Sequence, residues 1–233
     1  MSGRPVQRGT YRLTLDVPWR LDGAADDPTA PLVVALHGMG MDEDGFALLL
    51  QRLLAVPCRV LVPRAPFPIE VRREKRIGAA WYAYDGDPTR FRRELDRLDG
   101  LLLGLVRQVE AGLGLVPRAR VLFGFSQGGY CGAVVALRHP DVFDGLVVSG
   151  ARVKTEMLAD ELQGVAARRC RVLLLHGLRD AHVLPEAAQR SRDALAAAGL
   201  QVELHVFDAG QALGRELIEV VADWLRAHFV APR

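Results

Sequence analysis

The sequence predicts an α/β fold with a doubly wound, mostly parallel sheet and helices on both faces. Three observations lead there. Short, continuously apolar runs recur along the chain, as strands buried on both faces require. Longer stretches carry apolar residues at three- and four-residue intervals, the period of an amphipathic helix. The two kinds of segment alternate, which is the pattern of helices layered on a parallel sheet.

The buried strands are read at Leu32–Leu36, Arg59–Val62, Val121–Phe123, Gly145–Val148 and Val172–Leu175. Tyr11–Leu15 alternates apolar and polar residues, as an antiparallel edge strand would, and Gln201–Phe207 reads as the last strand. Helices are expected over Glu43–Leu54, Arg90–Leu113, Gln127–Arg138, Pro185–Ala198 and Leu213–Ala227. In the last, Leu213, Leu217, Val220, Val221, Trp224 and Leu225 form one stripe. Pro185 suits a first helical position and Gly199 a helix stop. Asp22–Pro31 reads as a surface loop. A long loop is expected over Pro63–Pro88, which holds Pro66, Pro68, the basic run Arg72–Arg76 and the aromatics Trp81, Tyr82 and Tyr84. Nothing in the pattern divides the chain, so residues 1–233 are taken as a single domain.

Composition narrows the function classes. The 233 residues are 50% hydrophobic and 25% charged, ordinary for a globular protein, with a formal net charge of +2. That balance gives no reason to expect a nucleic-acid partner. The apolar runs are far shorter than the ~20 residues of a membrane span, and the N-terminal residues lack a signal-peptide core. The 3 cysteines, Cys58, Cys131 and Cys170, are odd in number and far apart, which fits neither a disulfide framework nor a zinc site. A reducing cytoplasm is the expected compartment.

The chemistry-bearing segment is Gly124-Phe125-Ser126-Gln127-Gly128, a G-x-S-x-G string between a buried strand and a helix. A sharp strand-to-helix turn there exposes the serine hydroxyl, and the flanking glycines let neighbouring backbone pass. The Gln127 N–H then lies at a helix N-terminus, aimed at a developing oxyanion. His37-Gly38-Met39-Gly40, after the first buried strand, fits a turn supplying a second oxyanion donor, the Met39 N–H. An ordinary β-turn is the alternative for that string. Trp81 and Tyr82 are candidates for the wall of an acyl pocket, with packing of a long loop the equal alternative.

On these residues, with Pro63–Pro66, Val148-Ser149-Gly150 and His176-Gly177-Leu178-Arg179-Asp180, the chain resembles the phospholipase/carboxylesterase family of α/β-hydrolases. This family includes acyl-protein thioesterases and small bacterial carboxylesterases. The resemblance implies an α/β-hydrolase fold and action on carboxylic esters or thioesters through an acyl-Ser126 intermediate, with Asp180 as the acid. It implies no cofactor and no metal, a small-molecule ester or thioester as partner, and pairing into homodimers.

The resemblance breaks at one position. The family's histidine follows the last strand, in a turn after glycine; here Gly210 is followed by Gln211. An amide can donate and accept hydrogen bonds but cannot carry the serine proton as a base. Of the 6 histidines, His182 stands nearest Asp180 in sequence without an assigned structural place and is the substitute base to consider. The alternative function is a catalytically dead pseudo-hydrolase that binds a small ester, an acyl ligand or a protein partner.

Overall fold

The computed structural model describes Gly9, Tyr11 and residues 14–164 and 169–230. A seven-stranded sheet forms its centre, made of β1 (Trp19–Gly23), β2 (Leu32–Leu36), β3 (Arg59–Pro63), β6 (Arg120–Phe125), β7 (Gly145–Ser149), β8 (Arg171–Gly177) and β9 (Val202–Phe207). Their spatial order is β1-β3-β2-β6-β7-β8-β9. Only the β1–β3 pair is antiparallel. Between β3 and β6 lies a separate hairpin, β4 (Phe67–Val71) and β5 (Arg76–Ala80). The main helices are α1 (Glu43–Leu49), α2 (Pro88–Leu113), α3 (Gln127–Arg138), α5 (Pro185–Ala197) and α6 (Arg215–Phe229), with a short α4 (Ala159–Gln163).

Burial on both faces of the sheet explains the continuous apolar runs. Leu32, Val34 and Leu36 of β2 join the core under α2, α3 and α5, whereas Val33 and Ala35 face the core under α1 and α6. The period of two thus splits one strand between two cores. Helix α2 buries Phe91, Leu95, Leu98, Leu102, Val106 and Val109, and Asp87 caps its N-terminus by accepting from Thr89 and Arg90 N–H. Gly114 ends it in the left-handed region. The α6 stripe buries Leu217, Val221, Trp224 and Leu225 as expected, together with Ile218 and Ala222. Among the described residues, no helix is long and apolar enough to cross a membrane.

Two sequence expectations are corrected. The antiparallel edge strand is Trp19–Gly23, which pairs residue by residue with β3 from Trp19↔Pro63 to Gly23↔Arg59. Tyr11, Thr14 and Leu15 lie in no strand, and residues 10, 12 and 13 fall outside the described set. Alternation alone did not choose between the two segments; hydrogen bonding to β3 does. The second correction concerns Pro63–Pro88, most of which is ordered as the β4–β5 hairpin rather than loop. Lys75, at φ 50°, turns the chain between its strands. Pro68 is accommodated because the hairpin is two-stranded, so the position needs no second ladder partner. Smaller departures are local: the first helix stops at Leu49 and continues as a tighter turn over Gln51–Ala55.

The topology itself marks a site. From β2 the chain moves to β3 on one side, and it later returns through β6 to the other side. Adjacent strands whose connections diverge leave a crevice at their carboxyl ends, where open α/β sheets bind ligands. Here that crevice lies beyond Leu36 of β2 and Phe125 of β6.

Candidate active site

Ser126 occupies the first residue beyond β6, with φ 51° and ψ −117°. A non-glycine residue held there costs about 1–3 kcal/mol, which the surroundings must offset. They do so by close backbone packing. Ser126 N–H donates to Ser149 O at 2.8 Å, and its own carbonyl accepts from Gly129 and Tyr130 N–H. A Cβ on Gly124 would lie 2.4 Å from Gly128 O, and one on Gly128 would lie 2.2 Å from Leu36 O. Side chains are excluded at both positions, so the glycines of the string are steric requirements of this corner.

The turn after β2 abuts the serine. A Cβ on Gly38 would sit 3.4 Å from Ser126 Cβ. The β4–β5 hairpin holds this turn in place: Gly40 N–H donates to Ala79 O at 2.8 Å, and Ala79 N–H to Met41 O at 2.9 Å. Among the described residues, Met39 N–H has no partner, and Gln127 N–H, first in α3, is one of the unsatisfied donors of a helix start. His37 lies fully buried beneath the turn. Its Nε2 accepts from Ala65 N–H at 3.0 Å, which places the proton on Nδ1, 2.8 Å from Gly38 O. Burial lowers its pKa below the usual 6.5, favouring the neutral ring.

Gln127 uses its side chain as a clasp. Its Oε1 accepts from Trp81 N–H at 2.8 Å and its Nε2 donates to Tyr82 O at 2.9 Å. This ties the end of the hairpin to the elbow. Trp81 itself does not wall a pocket: it is fully buried, and its indole N–H donates to His37 O at 2.8 Å. Tyr82 does line the cleft that opens at Ser126, a space of about 1050 Å³. Met39, Phe67, Ile69, Tyr84, Tyr130, Arg90, Arg93, Glu94 and Arg97 share the lining. Sequence reading missed Tyr130 and the α2 contribution; the signal for the latter was the spacing of residues 90, 93, 94 and 97, which puts them on one helix face.

Asp180, Gly150 and Gln211 follow β8, β7 and β9, at the same end of the sheet as Ser126. Asp180 is buried, and its Oδ1 accepts from His182 N–H at 2.8 Å and Val183 N–H at 3.0 Å. Its Oδ2 is buried without a hydrogen-bond partner. His176 Nε2 stands 3.8 Å from that oxygen and is engaged at 2.6 Å with Val183 O. Gln211 turns its amide elsewhere, donating from Nε2 to Gly150 O at 2.7 Å. The His182 ring is exposed; only its backbone reaches Asp180. Among the described residues, no hydrogen bond joins Ser126 Oγ to Gln211, Asp180 or any histidine. The site therefore has a strained, accessible alcohol and two amide donors, with no titratable base bonded to the alcohol. Among the described residues, no group of three His, Cys, Asp or Glu side chains is placed to hold a metal ion.

Comparison with known proteins agrees with this architecture. The model of the Phospholipase/Carboxylesterase family matches residues 23–229. A probable carboxylesterase of Oryza sativa subsp. japonica is 27% identical over 206 residues, covering 83% of this chain and 86% of the relative. Acyl-protein thioesterase 1 of Gibberella zeae is 29% identical over 217 residues, 85% of this chain and 91% of its own. In fold, the chain superposes on the crystal structure of esterase PE8 with a TM-score of 0.74 at 23% identity, covering 92% and 99% of the two chains. Zea mays acyl-protein thioesterase 2 gives a TM-score of 0.71 at 20% identity, covering 90% and 98%. Because the family model matches residues 23–229, most of the chain, this chain belongs to the phospholipase/carboxylesterase family.

Proposed function

We propose that this protein binds small carboxylic esters or thioesters and accepts their acyl group on Ser126, with Asp180 as the acid of the site and Gln211 in the place of the usual histidine. The observation that carries the reading is the Ser126 backbone. Its left-handed conformation is strained and is stabilised by a glycine-cleared corner. The related proteins named carboxylesterase and acyl-protein thioesterase support the substrate class.

In the proposed reaction the carbonyl carbon approaches Ser126 Oγ while its oxygen points to the Met39 and Gln127 amides. As the C–O bond forms, those donors stabilise the developing oxyanion, a contribution worth about 10²–10³ in rate per donor in a studied hydrolase. The tetrahedral intermediate then collapses by breaking the bond from the carbonyl carbon to the alcohol or thiol, which departs. The serine proton passes to solvent or to that group, because Gln211 is an amide that already donates to Gly150 O. Acylation by activated esters is then expected to be slow but dependent on Ser126. Water subsequently cleaves the acyl-serine, releasing the acid.

A second reading is favoured by the Gln211–Gly150 bond, which makes the residue a structural tie: the cleft binds an ester or acyl ligand without turning it over. Hydrolysis of p-nitrophenyl acetate separates the two. A native rate above that of Ser126→Ala supports the catalytic reading; identical rates overturn it in favour of binding alone.

A further inference from the structure

Helix α2 presents Arg90, Arg93, Glu94 and Arg97 to the cleft, at the i, i+3, i+4 and i+7 positions of one face. The carboxylates along this stripe are spoken for. Asp85 and Asp87 lie 2.8 Å and 3.2 Å from Arg90, and Glu94 lies 2.6 Å from Arg97. Among the described residues, Arg93 makes no close ion pair; Asp87, already bonded to Arg90, acts on it only through its field. Apolar and aromatic side chains, Phe67, Ile69, Tyr82 and Tyr130, line the same cleft, as does Asp85, which is paired with Arg90. A second cation borders the same aromatics: the Lys154 ammonium sits 5.4 Å from the Tyr84 ring centroid, 5.0 Å from Phe91 and 5.9 Å from Tyr130. Among the described residues it has no carboxylate in ion-pair contact, Glu156 acting on it only through its field. Low-dielectric walls beside a cation without a close carboxylate focus a positive potential into the cleft.

We infer that the cleft selects esters carrying an anionic group, a carboxylate or phosphate, which Arg93 receives while the rest of the molecule lies along the aromatic wall towards Ser126. An apolar chain satisfies the aromatic wall but leaves the guanidinium with water alone; a short anion at its far end satisfies both. Arg93 is then a specificity residue, one that holds the remote end of the substrate. The inference rests on the reading of this cleft as the substrate site. The anion can belong to the acyl part or to the alcohol or thiol part, and the two sources are separable by ligand design.

Unreactive amides keep the test independent of turnover. Binding of glutaric acid mono-methylamide, N-(2-carboxyethyl)butyramide and neutral N-methylbutyramide to the native chain is measured by nuclear magnetic resonance titration at low and high salt. At least one charged amide is expected to bind about fivefold to tenfold tighter than the neutral one at low salt, as a charge-assisted contact in a partly exposed site allows. Whichever charged amide wins identifies the end that bears the anion. Arg93→Gln is expected to erase the preference. Arg92→Gln, one residue away and not lining the cleft, is expected to retain it although the net charge changes equally. Equal binding of charged and neutral amides, or a preference that survives Arg93→Gln, overturns the inference and leaves the substrate-site reading standing. No binding of any amide overturns both.

Discussion

The two ends of the candidate site lie at the same end of one sheet, beyond β6 and beyond β8 and β9, yet are organised in opposite ways. At the elbow, Ser126 is strained, glycine positions are closed to any side chain, and two amide donors are free. At the acid end, Gln211 is at rest on Gly150 O, while Asp180 has one oxygen saturated and the other without a partner. Strain is kept at Ser126, where the proposed acyl transfer needs a fixed alcohol. At the other end the group that would relay a proton is an amide, and its hydrogen bond serves the fold. The comparison shows that the parts of such a site are held by separate local forces, so one part can change without the other collapsing.

The largest expected effect comes from altering the acid end. Gln211→His puts an imidazole beside the Asp180 loop, and general-base assistance is worth about 10²–10⁴ in rate. The turnover number for p-nitrophenyl acetate is expected to rise by that order, in a form titrating near the usual histidine pKa; an unchanged rate breaks the assignment of position 211. Next come the glycines. Gly128→Ala drives a methyl into Leu36 O, and about 3 kcal/mol of stability is expected to be lost by chemical denaturation, more than the helix propensity gained. Gly210→Ala, where the nearest atom is an ordinary 3.7 Å away, is expected to cost at most about 0.5 kcal/mol. Equal costs would mean the two ends are not built differently.

Ser126→Gly sharpens the same contrast. Relief of the left-handed strain, less the added chain entropy of glycine, is expected to stabilise the fold by about 1 kcal/mol while abolishing acylation. A smaller effect belongs to His37. Burial holds its folded-state pKa below 6.5, so the unfolded chain binds the proton first. Its stabilising contribution is present above that pH and fades as the solution is acidified through the lower, folded value. The drop in melting temperature from about pH 7 to about pH 5 is therefore expected to be shallower in His37→Gln than in the native chain.

Much of this was legible from the sequence because it depends on local rules. The runs at Leu32–Leu36 and Gly145–Val148 could only be strands covered twice, and Gly124–Gly128 announced a corner. What escaped depends on pairing across the fold. Nothing in Trp19–Gly23 outranked Tyr11–Leu15 until β3 was in place. The β4–β5 hairpin was hidden by Pro68 and its basic turn, and it anchors the turn after β2 through Ala79, a residue with no chemical signal of its own. Trp81 and Tyr82, adjacent in sequence, point to a core and a cleft, a division set by the Gln127 clasp. Likewise Gln211 was visible as an anomaly, but its bond to Gly150 O was not.

The central claim is tested most directly by intact-mass spectrometry of the native chain exposed to a fluorophosphonate. The expected result is one slowly formed adduct, mapped to Ser126, absent from Ser126→Ala and formed faster in Gln211→His. No adduct in either the native chain or Gln211→His, or an adduct that persists in Ser126→Ala, would contradict it.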